Sequence, residues 1–427
     1  MIIVLVSFII LSLLAIPIGY VMGISSMFGL INIGGIDFLR ILITRLHSGL
    51  NSFILVSIPF FVLTAEFMNR SGITKRLINF VNNFIGHLPG GLSHVNIVVS
   101  IIFGTLTGSA VTDTVAVGGT LIPAMKKEGY SGSFSAAVTA TSSVLGPIIP
   151  PSISMVIFST MIRETTVRSL FAAGILPGLV IAGCLLVISG IQSYRRDYPR
   201  KKRASLKEIL NGTKEAILPL LTPIIILGPI LFGITEITEA SAMGAFYALI
   251  LGVCVYKTLK LKDIFQAAFS AAKVGGVIFL LLCTSQTLGW FISRSGISIW
   301  IADLLTTKIQ SPILILAFLN IILLIVGMFV DTIPAVIILA PILAPPLIEI
   351  GFHPIHIAMI ILVNLNIGNS TPPMGMTLMT ASKIAQVPYE DAIKEAFPFI
   401  IAEIIACILI TFIPIIPLWL PQVLGFI

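Results

Sequence analysis

Apolar residues fill this chain in long runs, broken by short polar stretches, with neither a strand's alternation nor an amphipathic helix's stripe as the main pattern. In the first half the runs cover residues 1–22, 52–68, 95–106, 115–125, 134–162 and 170–191. In the second they cover 217–233, 240–256, 274–291, 313–330, 333–350, 355–378 and 398–420. Runs near 20 residues predict membrane-spanning helices; a barrel would need short alternating segments instead. Some runs do not fit a plain span. Residues 95–106 would cover only about 18 Å of a ~30 Å hydrocarbon core. They lead into the polar stretch 107–113, and 115–125 leads away, which predicts a re-entrant hairpin with a polar tip. The second half repeats this from 313, through Gly327 to Thr332, into 333–346. Residues 134–162 and 355–378 are long enough to span but carry Gly146, Pro147, Pro150 and Pro151, and Gly368, Pro372 and Pro373, near their middles. Both are expected to be broken helices. Segments 40–50 and 257–272 are mildly amphipathic and are expected to lie in the membrane interface.

The interruptions repeat. Asp113-Thr114-Val115 before Leu121-Ile122-Pro123 answers Asp331-Thr332-Ile333 before Leu339-Ala340-Pro341, at an offset of 218. The Gly146–Pro151 break answers Gly368–Pro373 at an offset of 222. Phe67-Met68-Asn69-Arg70-Ser71-Gly72-Ile73 answers Phe291-Ile292-Ser293-Arg294-Ser295-Gly296-Ile297 at 224. Paired, Gly/Pro-interrupted apolar segments in two halves point to the binding site of a secondary transporter. The fold expected is an all-α membrane protein of two inverted repeats, residues 1–194 and 215–427, joined by a basic loop, 195–214.

Charge then orients the chain. Of 427 residues, 57% are hydrophobic and only 10% charged, against about 25% charged in a soluble domain. The stretch 195–214 holds eight Lys/Arg against Asp197 and Glu208, so it belongs in the cytoplasm, and with it the nearby Lys257, Lys260 and Lys262. The net charge of +7 is therefore an orientation signal and not a nucleic-acid one. Residues 1–22 lack the basic start of a secretory signal and read as a retained first span. The four cysteines lie in apolar runs without CxxC spacing and read as packing residues. His353 and His356, separated by Pro354, make a poor metal pair. No hydrolase or nucleotide-binding motif occurs, and no catalytic residue is expected.

Proline removes a backbone donor and frees a carbonyl one turn back. In lipid such a carbonyl needs a partner, and an alkali cation is a good one. Ser142, Ser143 and Ser152 add hydroxyl oxygens at the first break; Asn364, Asn366, Asn369, Ser370 and Thr371 surround the second. The set is rich in oxygen and weakly charged, as a hard ion such as sodium requires. At the tips stand Gly108, Ser109, Thr112 and Asp113, and Asp331 and Thr332. An aspartate at membrane depth is costly and by default functional. Each is read as an ion ligand, a cap on a half-helix, or a brace for its tip. Glu66, Glu236, Glu239, Glu403, Arg70 and Arg294 are weaker candidates.

The Gly108-Ser109-x-x-x-Asp113 tip, the break from Ser142 to Ser152, and Asn364-x-Asn366-x-Gly368-x-x-Thr371-Pro372-Pro373 together resemble the large membrane subunit of TRAP transporters, the DctM type. Thr235-x-x-Thr238-Glu239-Ala240 is also similar to that family's start of the second repeat. The resemblance spans nearly the whole chain. It implies a sodium-driven importer of small organic acids in the bacterial inner membrane, working by an elevator: a scaffold carrying a transport domain of two hairpins and two broken helices. It implies a separate small membrane subunit (Q type), since no fused set of N-terminal helices is expected, and a periplasmic substrate-binding protein (P type). It implies one sodium site at Ser109, Gly146, Ile149 and Pro150, and a second at Asp331, Thr332, Gly368, Thr371 and Pro372. Asp113, Ser142, Ser143, Ser152, Asn364, Asn366, Asn369 and Ser370 are then substrate-cavity candidates. Sodium is the coupling ion and no other cofactor is expected. A sugar acid such as sialic acid and a C4-dicarboxylate both fit. A stand-alone sodium/dicarboxylate symporter of the same superfamily is the alternative.

Overall fold

A computed structural model describes residues 2–294, 296, 303 and 311–427. Every regular element among them is helical. The chain opens with α1 (Ile2–Leu13), α2 (Ile18–Gly34), α3 (Leu39–Leu50), α4 (Ser57–Arg70) and α5 (Ile73–Ile85). A hairpin of α6 (Gly91–Thr107) and α7 (Ala110–Lys127) follows, then the broken pair α8 (Gly132–Ser142) and α9 (Ile153–Met161), and the long α10 (Val167–Arg195). Beyond the basic loop come α11 (Leu206–Leu231), α12 (Ile237–Ile250) with a π-helical turn (Leu251–Val255), and α13 (Leu261–Arg294). The second half then repeats the order. It has a hairpin of α14 (Pro312–Phe329) and α15 (Thr332–Glu349), a broken pair α16 (Pro354–Gly368) and α17 (Met376–Ala385), a long α18 (Tyr389–Phe412), and a final α19 (Ile415–Val423). Eight helices among the described residues are long and apolar enough to cross a membrane.

Four expectations change. Residues 1–22 do not make one span: α1 stops at Leu13, Ala15 takes a left-handed φ of 57°, and Pro17 precedes α2. The proline has no N–H to continue the ladder. The expected interface helix at 257–272 is not separate, because α13 runs unbroken for 34 residues. That is about 51 Å, well beyond the ~30 Å thickness of the hydrocarbon core. In the first half the corresponding chain does break, after α3, at Asn51 (φ −84°, ψ 53°). The irregular part of the basic loop is only 196–205, because Ser205 and Glu208 form a capping box that starts α11 early. Arm α6 begins at Gly91 and has 17 residues, so it reaches about 25 Å. In the second Phe–Gly–Ile block, Ser295 and Ile297 lie outside the described residues.

Two groups of helices pack around the hairpins. In one, α4 lies on α12 and α13, α13 on α2 and α3, and α11 on α5 and α12. In the other, α8 lies on α17 and α18, and α14 on α16. The halves interlock through the broken helices: α9 packs on α15 of the second hairpin, and α17 on α7 of the first. Small residues allow this. Ala136, Ala137, Ala140, Ala381, Ala385, Ala392 and Ala396 form one buried cluster between α8, α17 and α18, letting backbones approach where lipid supplies no hydrophobic drive. Residues Ile355 through Gly368 of α16 are all buried, as expected of a helix apolar on every side.

Candidate functional site

The first tip is a two-residue turn. Gly108 ends α6 with φ +58°, and Ser109 caps α7. The Ser109 hydroxyl accepts from the Thr112 N–H at 3.5 Å and from the Thr112 hydroxyl at 3.2 Å. A Cβ on Gly108 would stand 3.1 Å from both the Pro151 carbonyl and the Ile153 nitrogen, so the tip is wedged against the first break. One turn back, a Cβ on Gly104 would come within 2.6 Å of the Gly146 Cα. The Ser109 carbonyl lies 3.5 Å from where a Gly146 Cβ would be. Hairpin and break thus meet backbone to backbone.

Inside the break, Gly146 and Ile149 donate to the Ser143 and Leu145 carbonyls at 3.2 and 2.8 Å. Pro147, Pro150 and Pro151 have no N–H to give, and the Pro150–Pro151 bond is cis. Ser152 caps α9, accepting from the Met155 N–H at 3.3 Å and donating to the Pro147 carbonyl at 2.5 Å. The carbonyls of Gly146 and Ile149 accept no hydrogen bond from the described residues. Both residues are buried, so two oxygens in the break are without donors.

Asp113 sits one turn into α7 with no exposed surface. Its N–H bonds the Ser109 carbonyl at 3.0 Å, and the Ser100 and Ser143 hydroxyls stand beside its carboxylate, but neither carboxylate oxygen has a hydrogen bond within 3.5 Å. Capping therefore falls to Ser109 and not to Asp113. The hydroxyls around it are engaged elsewhere: Ser143 donates to the Thr139 carbonyl at 2.7 Å, and Ser100 pairs with Ser142 at 3.1 Å. Ser142 also donates to Asn96 Oδ1 at 3.2 Å.

At the second tip Asp331 is itself the cap. Its Oδ1 accepts from the Thr332 N–H at 2.9 Å and from Asn369 Nδ2 at 3.0 Å. Asn369 Nδ2 also reaches Thr332 Oγ1 at 2.9 Å, and that hydroxyl donates to Asn366 Oδ1 at 2.8 Å. Tip and break are tied by side chains here, as well as by the glycine contact. A Cβ on Gly327 would lie 3.0 Å from the Gly368 Cα. Thr371 donates its N–H to Gly368 and its hydroxyl to Ile367, at 2.9 and 2.8 Å, and Pro372–Pro373 is cis. Ser370 donates to Glu403 Oε2 at 2.7 Å, while Glu403 Oε1 and Asn369 Oδ1 stay buried without a partner.

The two caps, Ser109 and Asp331, are 222 residues apart, the same spacing as Gly146 to Gly368 and as the two cis prolines. The caps therefore pair at 222, about one helical turn away from the offset of 218 that pairs Asp113 with Asp331 in the sequence. Asp331 corresponds in place to Ser109, and Ala335 stands where Asp113 does.

A cavity of about 90 Å³ lies against the first tip, lined by Thr107, Ser109 and Thr112, by Glu66 and Asn69 of α4, and by apolar residues that include Ile153 and Ile333. The DctM family model, described as the tripartite ATP-independent periplasmic transporter, DctM component, matches residues 5–416. The chain belongs to that family. It is 35% identical over 398 residues to the sialic acid TRAP transporter large permease protein SiaM of Vibrio cholerae, covering 93% of this chain and 92% of that one. It is 32% identical over 394 residues to the C4-dicarboxylate TRAP transporter large permease protein DctM of Rhodobacter capsulatus, covering 89% and 90%. Among solved structures it is similar to the Alcanivorax borkumensis YdaH transporter, with a TM-score of 0.58 at 15% identity over 88% of this chain and 89% of that one. That likeness bears on fold alone. The DctM chain is a multi-pass protein of the bacterial inner membrane.

Of the substrate-cavity candidates, Asp113, Ser142, Ser143, Ser152, Asn364, Asn366, Asn369 and Ser370 lie outside the lining of this cavity. They are buried, most of them in the hydrogen-bond networks behind the tips. Glu66 lines the cavity and pairs with Arg70 at 2.8 Å. From residue type and position both are only weaker candidates. Neither Gly104 nor Asn320 stands out in the sequence, yet Asn320 Oδ1 accepts from Asn364, Cys407 and Thr411 at 2.7, 3.3 and 3.0 Å. A lone asparagine in the apolar run 313–330 was the available signal. His353 caps α16 through the Ile355 N–H, and His356 contacts the Ile410 carbonyl.

Proposed function

We propose that this DctM chain is the permease subunit of a sodium-coupled importer of small organic acids, fed by a periplasmic binding protein and assembled with a small membrane subunit. The observation that carries the reading is the pairing of each hairpin tip with a helix break through touching glycines, which sets carbonyl and hydroxyl oxygens around a spot too apolar to leave them unpartnered. In the first pair the Gly146 and Ile149 carbonyls and Ser109 are the candidate sodium ligands, with Asp113 as the buried countercharge. In the second, Asp331, Thr332, Gly368 and Thr371 are the candidates. Neutral oxygens with one carboxylate per site suit sodium better than a proton relay, which needs a chain of carboxylates.

The relatives' names specify sialic acid, 2,3-diketo-L-gulonate and C4-dicarboxylates, and also ectoine, and a carboxylate is what these solutes share. Start-of-helix N–H groups at α7 and α9 favour an anion nearby. An elevator, with hairpins and broken helices moving against α4 and α13, fits the placement of the cavity between those two groups. The three-part assembly fits the family's description as tripartite.

Reconstitution tests all of this together. Proteoliposomes holding the permease with its small membrane subunit, supplied with the binding protein, are loaded with sialic acid or succinate outside and a sodium gradient inward. Saturable uptake that requires sodium and the binding protein is expected. Equal uptake on a proton gradient without sodium refutes the coupling. Full transport by this chain alone returns the reading to a stand-alone symporter.

A further inference from the structure

The cytoplasmic side carries a second built feature. Its side is set by the basic loop: the Lys201 N–H bonds the Gly86 carbonyl at 3.3 Å, and Asn83 Nδ2 bonds the Glu208 carbonyl at 3.0 Å. These contacts put the C-terminal end of α5 on the loop's side of the membrane. Helices α11 and α12 make two passes from that loop, so the turn after α12 returns to the same side. Thr258 in that turn donates to the Ser71 carbonyl at 3.1 Å, which brings the turn between α4 and α5 there too. Helix α13 begins just beyond, at Leu261.

Two hollows meet at this point with Arg70 between them. One, of about 380 Å³, is lined by Arg70, Lys75, Arg76 and Glu215 among others. The other, of about 700 Å³, is lined by Arg70, Lys262, Phe265 and Phe269. Four cations thus face one acid in the lining. Arg70 is held by Glu66 and by Gln266, both at 2.8 Å, and Arg76 stacks on Tyr256 at 4.0 Å. Lys75 and Lys262 are exposed and have no ion-pair partner among the described residues. Beside them Phe265 and Phe269 are 68% and 74% exposed on adjacent turns of α13. Cations at headgroup height and bare aromatic rings toward the hydrocarbon match the two parts of a lipid.

We propose that this groove binds an anionic phospholipid, its phosphate held by Lys75, Lys262 and the outer face of Arg70, and its acyl chains laid over Phe265 and Phe269. Arg70 would then join the lipid to the cavity, since its other side holds Glu66. The chemistry selects a phosphate carrying net negative charge; phosphatidylethanolamine, zwitterionic, should bind weakly. The proposal is independent of the ion and substrate carried.

The test is native mass spectrometry of the full chain, with its small membrane subunit where that copurifies, titrated with phosphatidylglycerol, cardiolipin and phosphatidylethanolamine. Wild type should retain the two anionic lipids well above phosphatidylethanolamine. The doubly substituted Lys75→Gln, Lys262→Gln protein should lose that retention on the order of tenfold, with an unchanged size-exclusion profile. Phe265→Ser with Phe269→Ser should weaken long-chain lipid but leave short-chain dihexanoyl phosphatidylglycerol little affected. Inorganic phosphate should compete poorly, because it lacks the chains. Equal retention of all three lipids, or retention unchanged in the double lysine variant, overturns the proposal. So does loss of retention on binding the small subunit, which would make that subunit the occupant, or displacement by millimolar phosphate.

Discussion

Gly327 and Gly368 touch through their backbones: a Cβ on Gly327 would lie 2.8 Å from the Leu365 carbonyl and 3.0 Å from the Gly368 Cα. Helix α14 of the second hairpin therefore seats directly on the last turn of α16. Gly104 and Gly146 make the same contact in the first half. The contact holds each tip against its break, and the oxygens at the tip depend on it for their spacing.

Gly327→Ala should consequently destabilise the protein by about 1–3 kcal/mol, since backbone cannot move aside as a flexible side chain would. Gly183→Ala on α10, with nothing within 4 Å of the added Cβ, should leave stability unchanged or raise it slightly. Thermal unfolding of the two purified variants in one detergent checks this. Equal melting temperatures would show that the glycine contact does not set the packing.

Ser109→Ala and Asp331→Ala should both raise the sodium concentration for half-maximal uptake. Each also removes a helix cap, at about 1 kcal/mol, and Asp331→Ala additionally frees Asn369 Nδ2 from its 3.0 Å bond. The second variant should therefore be the less stable. Expression-matched uptake across a sodium titration separates ion affinity from protein amount. An unchanged half-saturation in both variants, at normal rate, would leave the repeats as a matter of fold only.

Asp113→Asn should weaken sodium dependence more than Ser109→Ala does, by about tenfold or more, because a charge with no partner in the dry interior needs a countercharge. If Asp113 meets no ion, the same substitution relieves a desolvation cost and makes the protein more stable with normal uptake. The paired readout of melting temperature with and without sodium decides. Wild type should gain stability on sodium addition, and the variant should gain less.

Asn320→Ala should cost about 3 kcal/mol, since Asn364 Nδ2, the Thr411 hydroxyl and the Cys407 thiol all donate to Asn320 Oδ1 and would lose a buried acceptor. Asn364→Ala should cost less in the Asn320→Ala background than alone. A double-mutant cycle on unfolding measures that coupling. Additive losses would mean that the network does not act as a unit.

Local chemistry was legible without the fold. Prolines and glycines at 146–151 and 368–373 break helices wherever they lie, because a missing N–H and a missing Cβ act within one turn. The membrane runs, the basic loop, and the serines and asparagines around the breaks could be read for the same reason. Where a cap fell was already less certain: Ser109 and Asp113 are both good caps by residue type, and only the left-handed turn at Gly108 made Ser109 the one. That choice moved the register of the repeats to 222, so Asp331 lies opposite Ser109 and Asp113 is left unpaired in the interior. Partners distant in the chain were decided by tertiary structure alone. Helical periodicity gives each residue a direction around its own axis, yet it says nothing of which helix waits there. Glu66 and Thr112 around one cavity, Gly104 on Gly146, and Asn320 bonded to Asn364 are brought together by which helices close on one another, and that choice is made by the packing of the whole.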